Sequence, residues 1–332
     1  MREWHPTFRK MITTAFVLGA GLGTRLRPLT DQRPKPLVPI FDKPLITFAF
    51  DHLMASGVRR FVVNTHHCAE AYADLLGMKN QEAIYRGCPI QFSHEPVLLE
   101  TGGGIKKAAS LLGEEPFVVY NGDVLADFSL DSLFQAHEGS GNLATLALRS
   151  VGTERRIQWD PQSGLITDMR GLIGGRSEPA CLFSGISIIS PAVLDHIPDG
   201  AVVSIIPILV ELLRSGARIG GVVIDGGDWF DIGNVNSYME VHSIIASRQH
   251  AISYLPKTWP VSIQNGASID PTAEILGSTV VGQGASVGGR ARLENVIVWP
   301  GENVDAGCQL KNAVISNGNV TQSSCSNGGE PA

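Results

Sequence analysis

The 332-residue chain has no Cys-x-x-Cys pair, and its five cysteines, Cys68, Cys88, Cys181, Cys308 and Cys325, are odd in number. That excludes a disulfide framework as the organising feature. The thiols read as buried or incidental in a reducing compartment, so a cytoplasmic protein is expected. There is no surplus of positive charge. Lys and Arg number 26 against 32 Asp and Glu, a net charge of −6, which argues against a nucleic-acid binder. No apolar run reaches membrane-spanning length. The first ten residues are basic but have no apolar core behind them, so they form no secretory signal. Residues 1–12 read as a short, poorly ordered leader. An anionic ligand would have to meet positive charge that is local.

Such charge lies in the stretch around which the chain is organised. Ala15 to Leu18 is an apolar run that reads as a buried parallel strand, and it leads into Gly19-Ala20-Gly21-Leu22-Gly23-Thr24-Arg25. Glycines let the backbone approach a ligand, so that successive N–H groups can face phosphate oxygens. Arg25 adds a planar fork of donors, and Lys35, at the far end of the loop, adds a compact charge. Pro28, Pro34 and Pro36 stiffen the loop. Two familiar glycine motifs are missing. The dinucleotide fingerprint needs glycine where Thr24 stands, and the ATPase phosphate loop needs Gly-Lys-Ser/Thr. Three glycines after a strand are also compatible with a mere tight turn.

Read with Arg27-Pro28-Leu29-Thr30 and Pro34-Lys35-Pro36, the whole string resembles the signature of the sugar-1-phosphate nucleotidyltransferases, or nucleotide-sugar pyrophosphorylases. The resemblance implies an α/β fold, with a Rossmann-like, mostly parallel sheet flanked by helices. The alternation downstream agrees. Pro44 to Ser56, Ala69 to Leu76, Ile105 to Leu112, Ile205 to Leu213 and Val235 to Ser247 read as helices. Arg60 to Asn64, Pro116 to Tyr120, Leu143 to Arg149 and Leu182 to Ile189 read as strands. Residues 13–250 are expected to form the catalytic domain.

Three further stretches carry chemistry. Gly102-Gly103-Gly104 stands before the helix expected from Ile105, where a flat group can lie against the backbone; a flexible hinge is the other reading. In the resembled family the matching loop holds the nucleotide base. The string Leu99-Glu100-Thr101-Gly102-Gly103-Gly104-Ile105 is similar to that of the N-acetylmuramate-α-1-phosphate uridylyltransferases. Asn121-Gly122-Asp123 ends a strand, and ligands in open α/β sheets bind beyond the carboxyl ends of strands. A carboxylate there suits Mg²⁺ alongside substrate phosphates. The other reading, a cap or turn former, fits Asp127 or Ser129 better. Trp229-Phe230-Asp231-Ile232-Gly233 resembles the family's Trp-x-Asp-x-Gly segment, which implies Asp231 as the second metal carboxylate and leaves Asp228 a structural role. His66-His67 reads as a solvated loop pair rather than a metal site.

The resemblance thus implies Arg25, Lys35 and Asp123 as catalytic residues. Gly21, Gly23, Thr24, Arg25, Lys35, Gly102 and Gly103 would bind the nucleotide. Asn121 and Gly185, the latter in the muramate-like string Phe183-Ser184-Gly185-Ile186-Ser187, would meet the sugar phosphate. Asp123 and Asp231 would hold Mg²⁺. Thr153 to Pro179 reads as hairpins and loops over the sugar side. The Glu-Lys or Glu-Pro pair of many relatives is missing there, and only Arg170, Arg176 and Glu178 offer themselves. The expected substrates are a nucleoside triphosphate, UTP in the first reading, and a sugar 1-phosphate of the muramate or hexosamine type. A guanylyltransferase for mannose or heptose phosphate is the alternative. A catalytically idle sensor or scaffold is a third reading, against which Arg25, Lys35, Asp123 and Asp231 speak.

From Ser268 apolar residues recur every sixth position, at Ile269, Ile275, Val281, Val287 and Leu293; after one short step Val298, Val304 and Leu310 follow. Such hexads imply a short left-handed parallel β-helix over 260–319, which needs the catalytic domain or a second subunit to cover its open face. A homo-oligomer formed through this tail is one expectation. All nine histidines lie at or before His250, so the tail lacks the base an acyltransferase solenoid would use. Residues 320–332, rich in Ser, Asn and Gly, are expected to be disordered.

Overall fold

The computed structural model describes residues 12–174, 179–247 and 252–323. Residues 1–11, Arg176, Glu178 and the last nine positions lie outside the described residues.

The strand Thr14–Leu18 sits near the middle of a ten-stranded sheet, with parallel partners on both sides, Arg60–Thr65 and Phe117–Asn121. Its alternate side chains enter two different cores. Ala15 and Val17 pack with Phe50, Leu53 and Phe61 beneath the helix Ile46–Ala55. Phe16 packs with Ile105, Leu112 and Leu209 on the opposite face, under the helices Glu100–Lys107 and Ile205–Arg214. A strand buried on both faces has to be apolar throughout, which is why Ala-Phe-Val-Leu reads as a run and not as an alternation. Parallel neighbours bring their carboxyl ends to one edge, so the loops after Leu18, Thr65 and Asn121 meet there.

The expectation of a mostly parallel sheet holds for Thr14–Leu18 and its neighbours and for Ile219–Val223 on Ala144–Arg149, but not for the sheet as a whole. Ala180–Ile189 runs antiparallel to both Phe117–Asn121 and Ala144–Arg149, and the pair Ile157–Asp160 and Leu165–Met169 is an antiparallel hairpin. The physical reason is connection length. Between Arg149 and Ala180 the chain forms this hairpin rather than the crossover helix that a parallel return requires. The sheet is mixed.

In the tail the eight hexad residues, Ile269 to Leu310, belong to one apolar cluster. The strands stack in parallel: Ser268 faces Ser286, which faces Asn303, and Arg292 lies between Glu274 and Gln309. The short step after Leu293 falls at Asn295, whose φ is +53°. Its side-chain carbonyl accepts from Ser278 N (3.0 Å) and its amide donates to Asn312 Oδ1 (3.1 Å), which closes the corner with one residue fewer. Val280, Ile297, Trp299 and Val314 from this region share a core with Leu29, Val38, Phe41 and Tyr238. Trp299 Nε1 donates to Tyr238 Oη (3.0 Å), which donates to Pro39 O (2.6 Å), and the Arg33 guanidinium lies 5.0 Å from the Trp299 ring centroid. The repeat is therefore packed against the segment that carries Lys35. Contrary to expectation, the chain beyond 319 begins with order: Asn319–Gln322 is an antiparallel strand on Gln309–Ser316.

Candidate active site

A cavity of about 330 Å³ opens at the carboxyl edge of the central strands. Its lining is drawn from Ala20 and Gly21, from Lys35, Asn121 and Asp123, and from Leu98, Glu100 and Thr101. The amides of Ala20, Gly21, Leu22 and Gly23 have no hydrogen-bond partner among the described residues. They are donors left over for a ligand. Gly21 and Thr24 are exposed, and Gly23 takes a left-handed φ of +60°.

Lys35 is the charged centre. Its side chain is buried, yet its Nζ stands 2.6 Å from Asp123 Oδ2 and 3.8 Å from Asp231 Oδ1. The two carboxylates come from segments far apart in the chain. Trp229–Asp231 pairs antiparallel with Val124–Ala126, which sets Asp231 opposite Val124, and Ile232 N donates to Asp123 O (3.3 Å). Arg25 joins them: a Cβ on Gly233 would lie 3.3 Å from its Nη2. Arg25, Lys35, Asp123 and Asp231 thus gather at one edge of the sheet.

Electrostatics sets the character of this group. Burial, and then the neighbouring Asp123 carboxylate, push the Asp231 carboxyl above its usual range, while Lys35 and Arg25 act in the opposite direction. Two carboxylates that remain in mutual repulsion beside two cations form an oxygen-donor pair suited to a further positive charge. A hard divalent ion held by one or two carboxylates, with substrate oxygens completing its shell, fits that donor set. Among the described residues no cluster of three or more His, Cys, Asp or Glu offers a fuller protein cage.

Asn121 and Gly185 are also brought together. Gly185 takes a φ of +81° at an irregularity in the pairing of its strand, and a Cβ there would stand 2.8 Å from Asn121 Nδ2. Trp229 Nε1 donates to Ser184 O (2.8 Å), tying this bend to the segment of Asp231.

The second glycine stretch differs from its expectation. The helix begins at Glu100, so the triplet lies within it. Gly102 N and Gly103 N both donate to Val203 O, at 2.8 and 3.1 Å, and a Cβ on Gly103 would fall 2.1 Å from Ala201 O. The triplet lets this helix pack against residues 201–205, and the cavity wall here consists of Leu98, Glu100 and Thr101 instead. Glu100 carries a φ of +59°, uncommon for a residue with a side chain. His66 and His67 are braces rather than solvated residues. His66 Nδ1 lies 2.7 Å from Glu95 O, and His67 Nε2 lies 3.1 Å from Thr30 O. Asp127 accepts from Ser253 N (3.0 Å), which pins the segment after the last helix of this region rather than capping one. Arg170 is exposed, away from the cavity lining.

Asn64 is not among the residues that the sequence motifs single out. It lines the cavity and its Oδ1 accepts from Gly19 N at 2.7 Å. The strand-end rule that singles out Asp123 applies equally to an Asn closing the apolar run Phe61-Val62-Val63, so the signal was there.

Residues 14–157 match the family described as nucleotidyl transferase. The chain is 30% identical over 310 residues to the mannose-1-phosphate guanylyltransferase of Mycobacterium tuberculosis, covering 90% of this chain and 82% of that one. It is 33% identical over 236 residues to the N-acetylmuramate alpha-1-phosphate uridylyltransferase of Neisseria meningitidis, covering 69% of this chain and 97% of that one. Among solved structures, a UDP-glucose pyrophosphorylase from Acinetobacter baumanii superposes with a TM-score of 0.61 at 16% identity, over 73% of this chain and 96% of that one. At that identity the likeness is one of fold. No helix of the described residues is long and apolar enough to cross a membrane.

Proposed function

This chain belongs to the nucleotidyl transferase family of sugar-1-phosphate nucleotidyltransferases, and on that premise we propose that it transfers a uridylyl group from UTP to N-acetylmuramate 1-phosphate or a related hexosamine phosphate, releasing pyrophosphate. The observation that supports nucleotidyl transfer is the convergence of Lys35 on Asp123 and Asp231 beside a cavity whose lining includes Ala20 and Gly21, with their amides free.

The sugar phosphate oxygen attacks the α-phosphorus in line with departing pyrophosphate. The nucleophile is ionised near neutral pH, since a second phosphate pKa lies near ~6, so no strong general base is needed. The obstacle is bringing two anions into contact, and catalysis rests on positioning and charge neutralisation. Lys35 bridges the α-phosphate and the incoming phosphate. Arg25, with the amides of Gly21 and Gly23 and the exposed Thr24, takes the triphosphate and the leaving pyrophosphate. Asn121 and the backbone at Gly185 meet the sugar phosphate. Asp123 and Asp231 are the residues that would hold Mg²⁺, which when bound supplies charge neutralisation between the phosphates. The repeat at 268–316 is read as a short left-handed parallel β-helix that braces the Lys35 segment, and its parallel stacking supports that reading.

A guanylyl reading has its own support. The mycobacterial guanylyltransferase aligns with 90% of this chain, repeat region included, whereas the neisserial uridylyltransferase aligns with 69%. The uridylyl reading rests on the string Leu99 to Ile105. One panel decides: UTP, GTP, ATP and dTTP, each with N-acetylmuramate, N-acetylglucosamine, mannose and glucose 1-phosphates, scored by pyrophosphate release. The expected result is release with UTP and a hexosamine-type phosphate. Release with GTP alone overturns the uridylyl assignment, and no release with any pair overturns the enzymatic one.

A further inference from the structure

Glu95 is fully buried, and among the described residues it makes no ion pair. A carboxylate held out of water without a cation is costly, and a neutral side chain of the same size would be cheaper unless the acceptor character itself is needed. Its two oxygens take two donors. Oε1 accepts from Asn64 Nδ2 (2.8 Å), and Oε2 accepts from Leu99 N (2.9 Å).

An ionised carboxylate only accepts, whereas an Asn amide has one donating and one accepting end. Glu95 therefore fixes which way Asn64 faces, and Asn64 Oδ1 must point at Gly19 N, 2.7 Å away. Gly19 O in turn accepts from Tyr72 Oη (3.0 Å), so the first residue beyond the central strand is held at both of its backbone polar atoms. At the other end, Leu99 directly precedes Glu100 and Thr101, which line the same cavity. The remaining member of the glycine triplet belongs to this chain of contacts. A Cβ on Gly104 would lie 2.6 Å from Glu95 Oε1 and 2.9 Å from Asn64 Nδ2.

We infer that Glu95 is a positioning residue, which acts through Asn64 and Leu99 to hold the two loops that line the nucleotide cavity at the correct separation. This rests on the nucleotidyltransferase reading of that cavity. The relay is directional, running from donor to acceptor as Leu99 N to Glu95, Asn64 Nδ2 to Glu95, and Gly19 N to Asn64.

The direction gives a test. E95Q puts an amide where two donors converge, leaving one donor facing another. N64D puts a second acceptor against Glu95. The double variant N64D/E95Q restores the order of groups. Gly19 N and the new amide at position 95 then donate to the new carboxylate at position 64, and Leu99 N donates to the carbonyl oxygen of that amide. Steady-state kinetics of full-length variants, with UTP and GTP each varied against a fixed active sugar 1-phosphate and the reverse, is the measurement. Each single variant is expected to raise KM for the nucleotide at least tenfold, with KM for the sugar phosphate within twofold of wild type. The double variant is expected to recover to within about fivefold of the wild-type nucleotide KM. Single variants with wild-type constants overturn the inference, as does a double variant no better than the worse single, or an equal rise in both KM values with a fallen melting temperature. Should the single variants fail to accumulate folded, the double variant decides alone: near-wild-type nucleotide KM supports the relay and a tenfold rise overturns it. Wild-type enzyme without pyrophosphate release for any pair removes the functional reading itself, a result distinct from an active wild type with indifferent variants.

Discussion

Two glycine-rich stretches, one lining the cavity and one packed behind its lining, use glycine for opposite ends. In the first, residues 19–23, the amides beyond Gly19 are unpartnered among the described residues, and a Cβ on Gly21 would meet nothing within 4 Å. In the second, residues 102–104, the amides of Gly102 and Gly103 are occupied by Val203 O, and a Cβ on Gly103 would collide with backbone. The first stretch leaves its backbone donors open, which is what the proposed nucleotide site requires. The second is glycine because the protein already fills it. Composition alone does not separate the two cases, and their settings in the fold do. Gly23 is succeeded by the short turn Thr24–Leu26, with Arg25 and then Lys35 as local charge, whereas the triplet sits inside a helix that other backbone abuts.

The largest expected effect tests whether the open stretch serves charge. Lys35→Ala or Asp123→Ala should each lower the rate of pyrophosphate release by about 10²–10³, roughly 3–4 kcal/mol of transition-state stabilisation. Purified variants assayed at saturating substrate give the answer, and near-normal turnover would strip the first stretch of its catalytic meaning.

Next in size is the acid sensitivity of two buried imidazoles in the body that carries both stretches. Burial holds His242 at a pKa of about 4, and its Nε2 accepts from Phe41 N, a few residues past Lys35. His52, likewise held at about 4, donates from Nε2 to Phe128 O and accepts at Nδ1 from Tyr120 Oη. Both are neutral in the fold and titrate near ~6.5 when unfolded. The stability they confer is full above pH ~6.5 and is lost as pH falls toward ~4, up to roughly 3 kcal/mol each. Denaturant midpoints measured from about pH 7.5 to about 4.5 should fall steadily below ~6.5, and flat midpoints would mean the imidazoles are not held neutral.

The third and fourth predictions set one stretch directly against the other. Gly103→Ala should cost about 1–3 kcal/mol of stability, because the new methyl meets the Ala201 carbonyl. Gly21→Ala should stay within about 0.5 kcal/mol, because its surroundings are open. Thermal melts of the two variants side by side make the comparison. Equal losses would mean that the two stretches are alike after all, and a stable Gly21→Ala with weakened nucleotide binding would sharpen the difference.

Much of this was legible in the sequence. Strand runs, hexads and the residues of the carboxyl edge all follow from local patterns. An apolar run has to be buried, an apolar residue every sixth place has to face inward, and Asp123 at a strand end has to reach the edge where ligands bind. The antiparallel return at Ala180–Ile189 was not legible, since an apolar strand reads the same in either direction. Nor was the use of the glycine triplet, because the carbonyls that abut it lie about a hundred residues further on.

By itself, then, the sequence determined which elements form and which residues reach the rim, because those depend on neighbours along the chain. Only the tertiary structure decided which amides remain free, which carboxylate Lys35 grips more closely, and that Leu99, Glu95, Asn64 and Gly19 are joined by hydrogen bonds. Hydrogen bonds and excluded volume act over a few ångströms, and they bind residues that distance along the chain gives no means of pairing.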